Sequence, residues 1–493
     1  MNIDSGCCNR QHPEIMYLMG EEGLMKEFKT SIHENISEMK KILRLDKNFD
    51  LIYKEMKIDG VEAGLFFVDG FAEDGILQRI LQYFYGLKKD DLKSADSFAV
   101  CNLPYIEVDL EKNIDLAVTN ILAGVIGFFV DGFDKCILID CRTYPARSVD
   151  EPWKDKVLRG SRDGFVETLV FNAALIRRRI RDPRFSVEAL RVGTSSQSDV
   201  ALCYIEGKAD PKLVKCLKDR LNSLKVEALT MNIQSVAECL LPGKWINPFP
   251  KYKYSERPDT AAAAVLDGNV VLMVDNSPAV IILPTSIFDL LEEADDFYFP
   301  PLVGSYLRIS RFLITIGAIY ITPVWLLFLN NPGWVPDWLS FILITDNITI
   351  PVIWQLLILE IAIDGLKMAA VNTPNALSTP LSVVAGIVVG EYAISSGWFN
   401  GESMLYMAFI TVATYSQASF EMGYALKFSR MMILVLTSIF NVWGFIAGTV
   451  IMVAMIVYNR TLSGKSYIYP LIPWNGERLK RKVFRIRLPH SFE

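Results

Sequence analysis

Two uncharged runs, residues 312–329 and 431–458, limit what this 493-residue chain can fold into more than any other feature of it. The first holds eighteen residues and the second twenty-eight. A hydrocarbon core about 30 Å thick is crossed by roughly 20 apolar residues, and the longer run would extend about 42 Å as a single helix. Buried core helices are the weaker alternative, because soluble helices of this length keep a polar face. Mean hydropathy is +0.26 although 22% of residues are charged. That pairing fits a polar N-terminal region followed by a lipid-facing C-terminal third.

Three weaker apolar segments lie between the two runs. Residues 339–363 carry Asp346, Pro351 and Glu360; residues 381–397 are rich in small side chains and carry Glu391; residues 404–420 are uncharged but short. Together they predict an α-helical transmembrane bundle over 301–460 with four or five membrane segments. Arg308 and Arg311 precede the first run, and a basic tail, 461–493, follows the last; the loops 330–338 and 398–403 hold no Lys or Arg. Both termini therefore read as cytoplasmic, which requires an even number of crossings. Five candidates conflict with that parity. The segment chosen not to cross is 350–367, where Glu360, Asp364 and Lys367 share one helical face as in an interfacial or pore-side helix.

The polar region reads as α/β or α+β. Its expected divisions are a flexible start (1–34), two small subdomains (35–95 and 96–241), and a Pro-rich linker with a β-hairpin element (242–300). Apolar runs at 63–68 and 125–130 each close on Asp-Gly, and 137–139 reads as the hairpin partner of the second. Helices are expected at 72–85, 164–181 and 211–224, with a strand at 200–205. FFVDG occurs at 66–70 and again at 128–132, from related subdomains or from the commonness of Asp-Gly turns. The last hairpin is expected to join 262–266 to 270–274 through Asp267–Gly268, with 280–283 as a third strand.

The chemistry-bearing residues are sparse. His12, His33 and His490 are the only histidines, and no phosphate-binding glycine loop, dinucleotide fingerprint or zinc-protease motif occurs. The expectation is a protein that is not an enzyme, with no catalytic residues, metal or cofactor. All eight cysteines precede residue 240 at spacings unlike those of zinc sites, so reduced thiols are expected. Residues 1–20 hold no apolar core of a secretory leader. The run Arg177, Arg178, Arg179, Arg181 reads as a solvated or salt-bridged helix face rather than a phosphate site. A net charge of −6 and a pI near 5.4 argue against nucleic acid. In the membrane region Gly386 and Gly390 stack on one helix face ahead of Glu391, with Thr379 and Ser382 nearby. Packed around an axis, several copies of this segment would line a narrow polar pore; the other reading is a tight tertiary contact.

Three stretches resemble signatures of the spore-germination A-subunit (GerA) family. They are GSRDGFVETLVFNAALIRRRIRDPRF (160–185), SDVALCYIEGKADPKLV (198–214) and ERPDTAAAAVLDGNVVLMVDNSPAVIILPTSIFDLLEEADDF (256–297). The third, with the following PPLVGSYLRISRF, is most similar to the stage V sporulation protein AF branch. The resemblance implies a multi-pass protein of the spore inner membrane with its N-terminal domain facing the spore core. It also implies a homo-oligomer, as a pentamer, forming an ion-conducting channel that promotes or amplifies ion release, alongside a small membrane partner and other germination proteins. A non-conducting scaffold or signalling subunit is the alternative. On this reading Thr379, Ser382, Gly386, Gly390 and Glu391 line the pore, and Arg177, Arg178, Arg179 and Arg181 form a subunit contact.

Overall fold

The computed structural model describes residues 26–101, 103, 107–143, 156–241, 246–344, 349–372, 392–459, 461–464 and 466–486. Two compact units emerge, one of residues up to 45 together with 51–143, the other of residues 46–50 and 144 onward.

The first unit contains α1 (Ile32–Leu43), β1 (Leu51–Ile58), β2 (Val61–Val68), α2 (Asp74–Gly86), α3 (Ala95–Cys101), β3 (Val108–Glu111), α4 (Ile114–Leu122), β4 (Ile126–Val130) and β5 (Cys136–Ile139). The strands form one antiparallel sheet in the order β1-β2-β4-β5-β3. Period-two alternation splits its residues between two packed faces. Leu65 and Phe128 meet α2, where the Phe84 and Phe128 rings stack 4.3 Å apart, whereas Phe66 and Phe129 join Phe28 in edge-to-face contact. Both faces are covered, so β4 is buried throughout and reads as an unbroken apolar run.

The second unit opens with the same plan: α5 (Leu169–Arg177), β6 (Phe185–Val192), β7 (Ser198–Ile205), α6 (Pro211–Ser223), α7 (Asn232–Leu240), β8 (Lys253–Ser255), α8 (Pro258–Leu266), β9 (Val270–Val274) and β10 (Val280–Leu283). Its sheet order, β6-β7-β9-β10-β8, repeats the first one strand for strand. The duplication reaches individual hydrogen bonds. Asp131, just after β4, accepts from the first amide of α1, and Asp275, just after β9, accepts from the first amide of α5. Each aspartate supplies from a distance the cap that the local Ser31 or Thr168 side chain does not. Asn35 and Asn172, one turn into those helices, each clamp the preceding loop through both amide atoms.

These facts correct the expected divisions. The boundary at 95/96 does not hold, because β3, β4 and β5 complete the sheet that β1 and β2 begin. The stretch 242–300 is not a separate hairpin element: β8, β9 and β10 are three of the five strands of the second sheet. Residues 262–266 belong to α8, and the hairpin joins β9 to β10. The two FFVDG segments end β2 and β4, neighbours in one sheet; the true repeat pairs 113–132 with 257–276. Residues 26–34 are not a flexible start, since Phe28 is buried and its amide donates to the Lys112 carbonyl at 3.0 Å. The helix expected over 164–181 is confined to α5.

Beyond the second sheet come α9 (Ile287–Leu290), α10 (Asp295–Tyr298), α11 (Pro301–Asn330), α12 (Val352–Asn372), α13 (Gly401–Tyr415), α14 (Phe420–Val457) and α15 (Gly476–Val483). Among the described residues, α11 and α14 are long and apolar enough to cross a membrane. Large apolar side chains such as Leu313, Phe428, Trp443 and Val450 are exposed on them, as on a lipid-facing surface.

The 431–458 run is not one 42 Å helix. Asn441 takes φ 53°, ψ −126°, which divides α14 into arms 420–440 and 442–457. A Cβ placed on Gly444 would overlap the carbonyl oxygen of Leu436, eight residues earlier. A straight helix separates such residues by about 12 Å, so the arms fold back on each other. At Gly444 only glycine permits this approach, and at Gly448 a Cβ would sit 3.0 Å from Ile433 Cα, tighter than side chains ordinarily pack. Asn441 and Asn331 exchange two amide hydrogen bonds, at 2.8 and 3.1 Å, fastening the turn to the end of α11.

Candidate functional site

The expected pore residues Thr379, Ser382, Gly386, Gly390 and Glu391 lie outside the described residues. The expected contact surface divides. Arg177 is not on a surface: it is wholly buried and bidentate to Asp50, with Asn48 accepting a further bond at 3.2 Å and the Phe185 ring 4.9 Å from its guanidinium. The reason is that 46–50 packs within the second unit and presents Asp50 to α5. Arg179 is half-buried and held by Asp163 and the Leu175 carbonyl. Arg178 and Arg181 are exposed.

The membrane-length helices enclose a charge network instead. Glu360 and Asp364 stand one turn apart on α12, and Lys427 and Arg430 nearly one turn apart on α14. Arg430 donates from Nε (2.8 Å) and Nη2 (2.5 Å) to Glu360 Oε1, and from Nη1 to the Ala318 carbonyl of α11 at 2.6 Å. Lys427 donates to Asp364 Oδ2 at 2.5 Å and to the Glu360 carbonyl at 2.9 Å, with Glu360 Oε2 3.3 Å away. Side-chain exposure is 3% at Glu360, 1% at Arg430 and 6% at Lys427, rising to 26% at Asp364. Within this set each buried charge has an opposite partner, because an unpaired charge there costs several kcal/mol; the part-buried Lys367 of α12 adds a third cation within electrostatic reach. Farther along α12, the buried Gln355 accepts from the Asn400 amide at 3.0 Å and donates to Ile350 at 2.7 Å.

Of the three charged residues expected on one face of α12, Glu360 is buried in the bundle, while Asp364 and Lys367 are part-buried, Lys367 lying 4.7 Å from the Tyr415 ring. Glu360 and Asp364 stand out in the sequence as acids within an apolar segment, whereas Lys427 and Arg430 do not. They fall just before the uncharged run, where they resemble ordinary flanking charges. The available signal was the complementary spacing of two acids on one apolar helix and two bases on the next.

A second ionic cluster holds the foot of α11. Asp296 is fully buried and pairs with Arg311 at 2.7 Å; Arg308 pairs with Glu292 at 2.9 Å. Lys482 of α15 reaches Asp289 at 2.6 Å and Glu292 at 2.9 Å. Burial alone would lower the Lys482 ammonium, but Asp289 and Glu292 outweigh it and raise its pKa. Burial likewise opposes ionisation of Asp289, and Lys482 reverses the balance, holding that carboxyl below its usual value. A cavity of about 320 Å³ opens nearby, lined by Lys253, Tyr254, Arg257, Glu292, Glu293 and Glu421 among others.

The model of the family described as Bacillus/Clostridium GerA spore germination protein matches residues 37–492. Stage V sporulation protein AF of Bacillus subtilis is 33% identical over 470 residues, 94% of this chain and 95% of that protein. Spore germination protein A1 of Bacillus subtilis is 26% identical over 454 residues, covering 91% and 92%. Among solved structures, the N-terminal domain of the A subunit of the Bacillus megaterium spore germinant receptor GerK3 matches with a TM-score of 0.39 and 22% identity, over 53% of this chain and 98% of that one. With the family match running from the first helix to the last residues of the tail, this chain belongs to the GerA family of spore germination proteins.

Proposed function

We propose that this chain is a non-catalytic subunit of an oligomeric ion-conducting complex in the spore inner membrane, where it promotes or amplifies ion release during germination. Membership of a germination family supplies the process. The observation that carries the membrane role is the ion-pair network of Glu360, Asp364, Lys427 and Arg430 held between α12 and α14. Ionisable residues at membrane depth face partners or ion paths, because hydrocarbon does not tolerate them otherwise. In this reading α12 crosses the bilayer with its charges turned inward, and α14 crosses twice through the turn at Asn441. The two arms of α14 then make two passes, so an even total is met without excluding 350–367, and both termini stay cytoplasmic. A homo-oligomer, as a pentamer, and a small membrane partner complete the complex, with Arg178 and Arg181 exposed for a subunit contact.

The test is potassium release from spores carrying Glu360→Gln in place of the wild-type chain, at matched protein level. Slowed or ungated release supports the reading. Normal release, together with retained binding of germination partners, favours a non-conducting scaffold.

A further inference from the structure

We propose that α15 and the loop before it form an anchor that binds the anionic phospholipid headgroups of the bilayer in which α11 is embedded. The inference rests on the membrane reading above and adds the chemistry of the surface.

Leu302, Tyr306, Ile309, Leu313 and Ile316 are exposed along α11, at spacings of three and four residues that make one apolar stripe. The stripe begins in the first helical turn, so the lipid boundary reaches the foot of α11. The tail is fixed at that level. Arg308 donates to the Arg481 carbonyl at 2.9 Å, and the Arg485 amide donates to Ser305 Oγ at 3.0 Å. Lys482 is turned inward to Asp289 and Glu292, which leaves Arg478 and Lys480 exposed on α15. Ahead of the helix, Ile472 and Trp474 are 54% and 69% exposed, and Phe484 after it is 45% exposed. Tryptophan and apolar side chains beside lysine and arginine on a short helix make an interfacial anchor: the rings enter the headgroup layer and the cations hold phosphate.

Arg485 gives a separate reason for an anion. Its Nη1 is buried and, among the described residues, has no hydrogen-bond partner. Arg308, nearly buried and also cationic, lies close enough to act on it electrostatically. Arg485 is part-buried as a whole, so a lipid phosphate meeting its exposed side pairs with a guanidinium that Arg308 repels.

The test uses the full-length chain in nanodiscs of phosphatidylcholine alone, or of an equal mixture with phosphatidylglycerol, with hydrogen exchange read over residues 471–486. Exchange should slow in the mixture and recover at high salt. Arg485→Gln and Lys480→Gln should each weaken the protection by about fivefold, and Arg485→Lys should retain most of it. Equal exchange in both lipids overturns the proposal, as does full protection in Arg485→Gln. Equal slowing by inorganic phosphate in phosphatidylcholine discs also overturns it, because a free anion would then suffice. Failure of the chain to enter nanodiscs of either composition would overturn the membrane reading as well; entry without a lipid effect overturns only the anchor.

Discussion

Arg430 of α14 closes on Glu360 of α12 through two nitrogens and spends its third on the Ala318 carbonyl of α11, so one side chain joins three helices. Removing either partner leaves the other buried and unpaired, at roughly 3–5 kcal/mol. Glu360→Gln and Arg430→Gln should each lower the thermal midpoint of the full chain in detergent. The double variant should lose much less than the sum, since neither charge is then stranded. Additive losses would show that the two side chains do not interact.

Arg177 and Asp50 form the corresponding buried pair beneath the second sheet. Arg177→Met should destabilise the full chain by about 3–5 kcal/mol. Arg177→Lys should recover little, because an ammonium cannot reproduce the two-nitrogen contact with Asp50 or the stacking on Phe185. A thermal-shift series comparing wild type, Arg177→Lys and Arg177→Met checks the order.

The reversal at Asn441 depends on glycine. Gly444→Leu should sharply reduce the folded yield in membranes, since its Cβ would meet the Leu436 carbonyl. Gly333→Leu, at a position with nothing within 4 Å of a new Cβ, should be tolerated. Equal yields of the two variants would mean that the arms of α14 do not pack closely.

Docking of α15 should show two pH limits. Asp289 ionises below its usual value in the folded chain, so its contribution is present above the unfolded pKa of about 3.9 and is lost as pH falls through the lower folded value. Lys482 is raised, so its contribution is present below the unfolded pKa of about 10.4 and is lost as pH rises through the higher folded value. Hydrogen exchange in α15, corrected for intrinsic rates, should be slow between these limits. Asp289→Asn should raise exchange throughout the plateau.

Burial pushes the Cys141 thiol up to about 11, with the neighbouring Asp140 adding to the effect, and pushes the wholly buried Cys136 and Cys203 up as well. At neutral pH all three should resist alkylation in the folded chain and react in denaturant, as mass spectrometry of labelled peptides would show.

What could be read in advance followed from how local each cause is. β2, β4 and β5 were visible because apolar runs closed by Asp-Gly carry their own turn signal. The same signal misled at Asp267–Gly268, where proline at the first position and four consecutive alanines mark α8 as a helix. The duplication lies in the gapless match of 113–132 to 257–276, whereas the identical FFVDG falls on two strands of one sheet. The turn at Asn441 carries no proline, and only the packing of its arms reveals the reversal. The network on α12 and α14 was half legible: acids stand out in an apolar segment, whereas Lys427 and Arg430 acquire meaning only once Glu360 and Asp364 lie opposite them.

The proposed role of this chain is to help ions across a bilayer. Liposomes containing the purified chain, alone and with the small membrane partner proposed above, loaded with potassium and read by a potassium electrode, test it most directly. Release above that of empty vesicles, altered by Glu360→Gln at equal protein incorporation, is the expected result. Release equal to empty vesicles, with the chain correctly inserted and oligomeric, would contradict it.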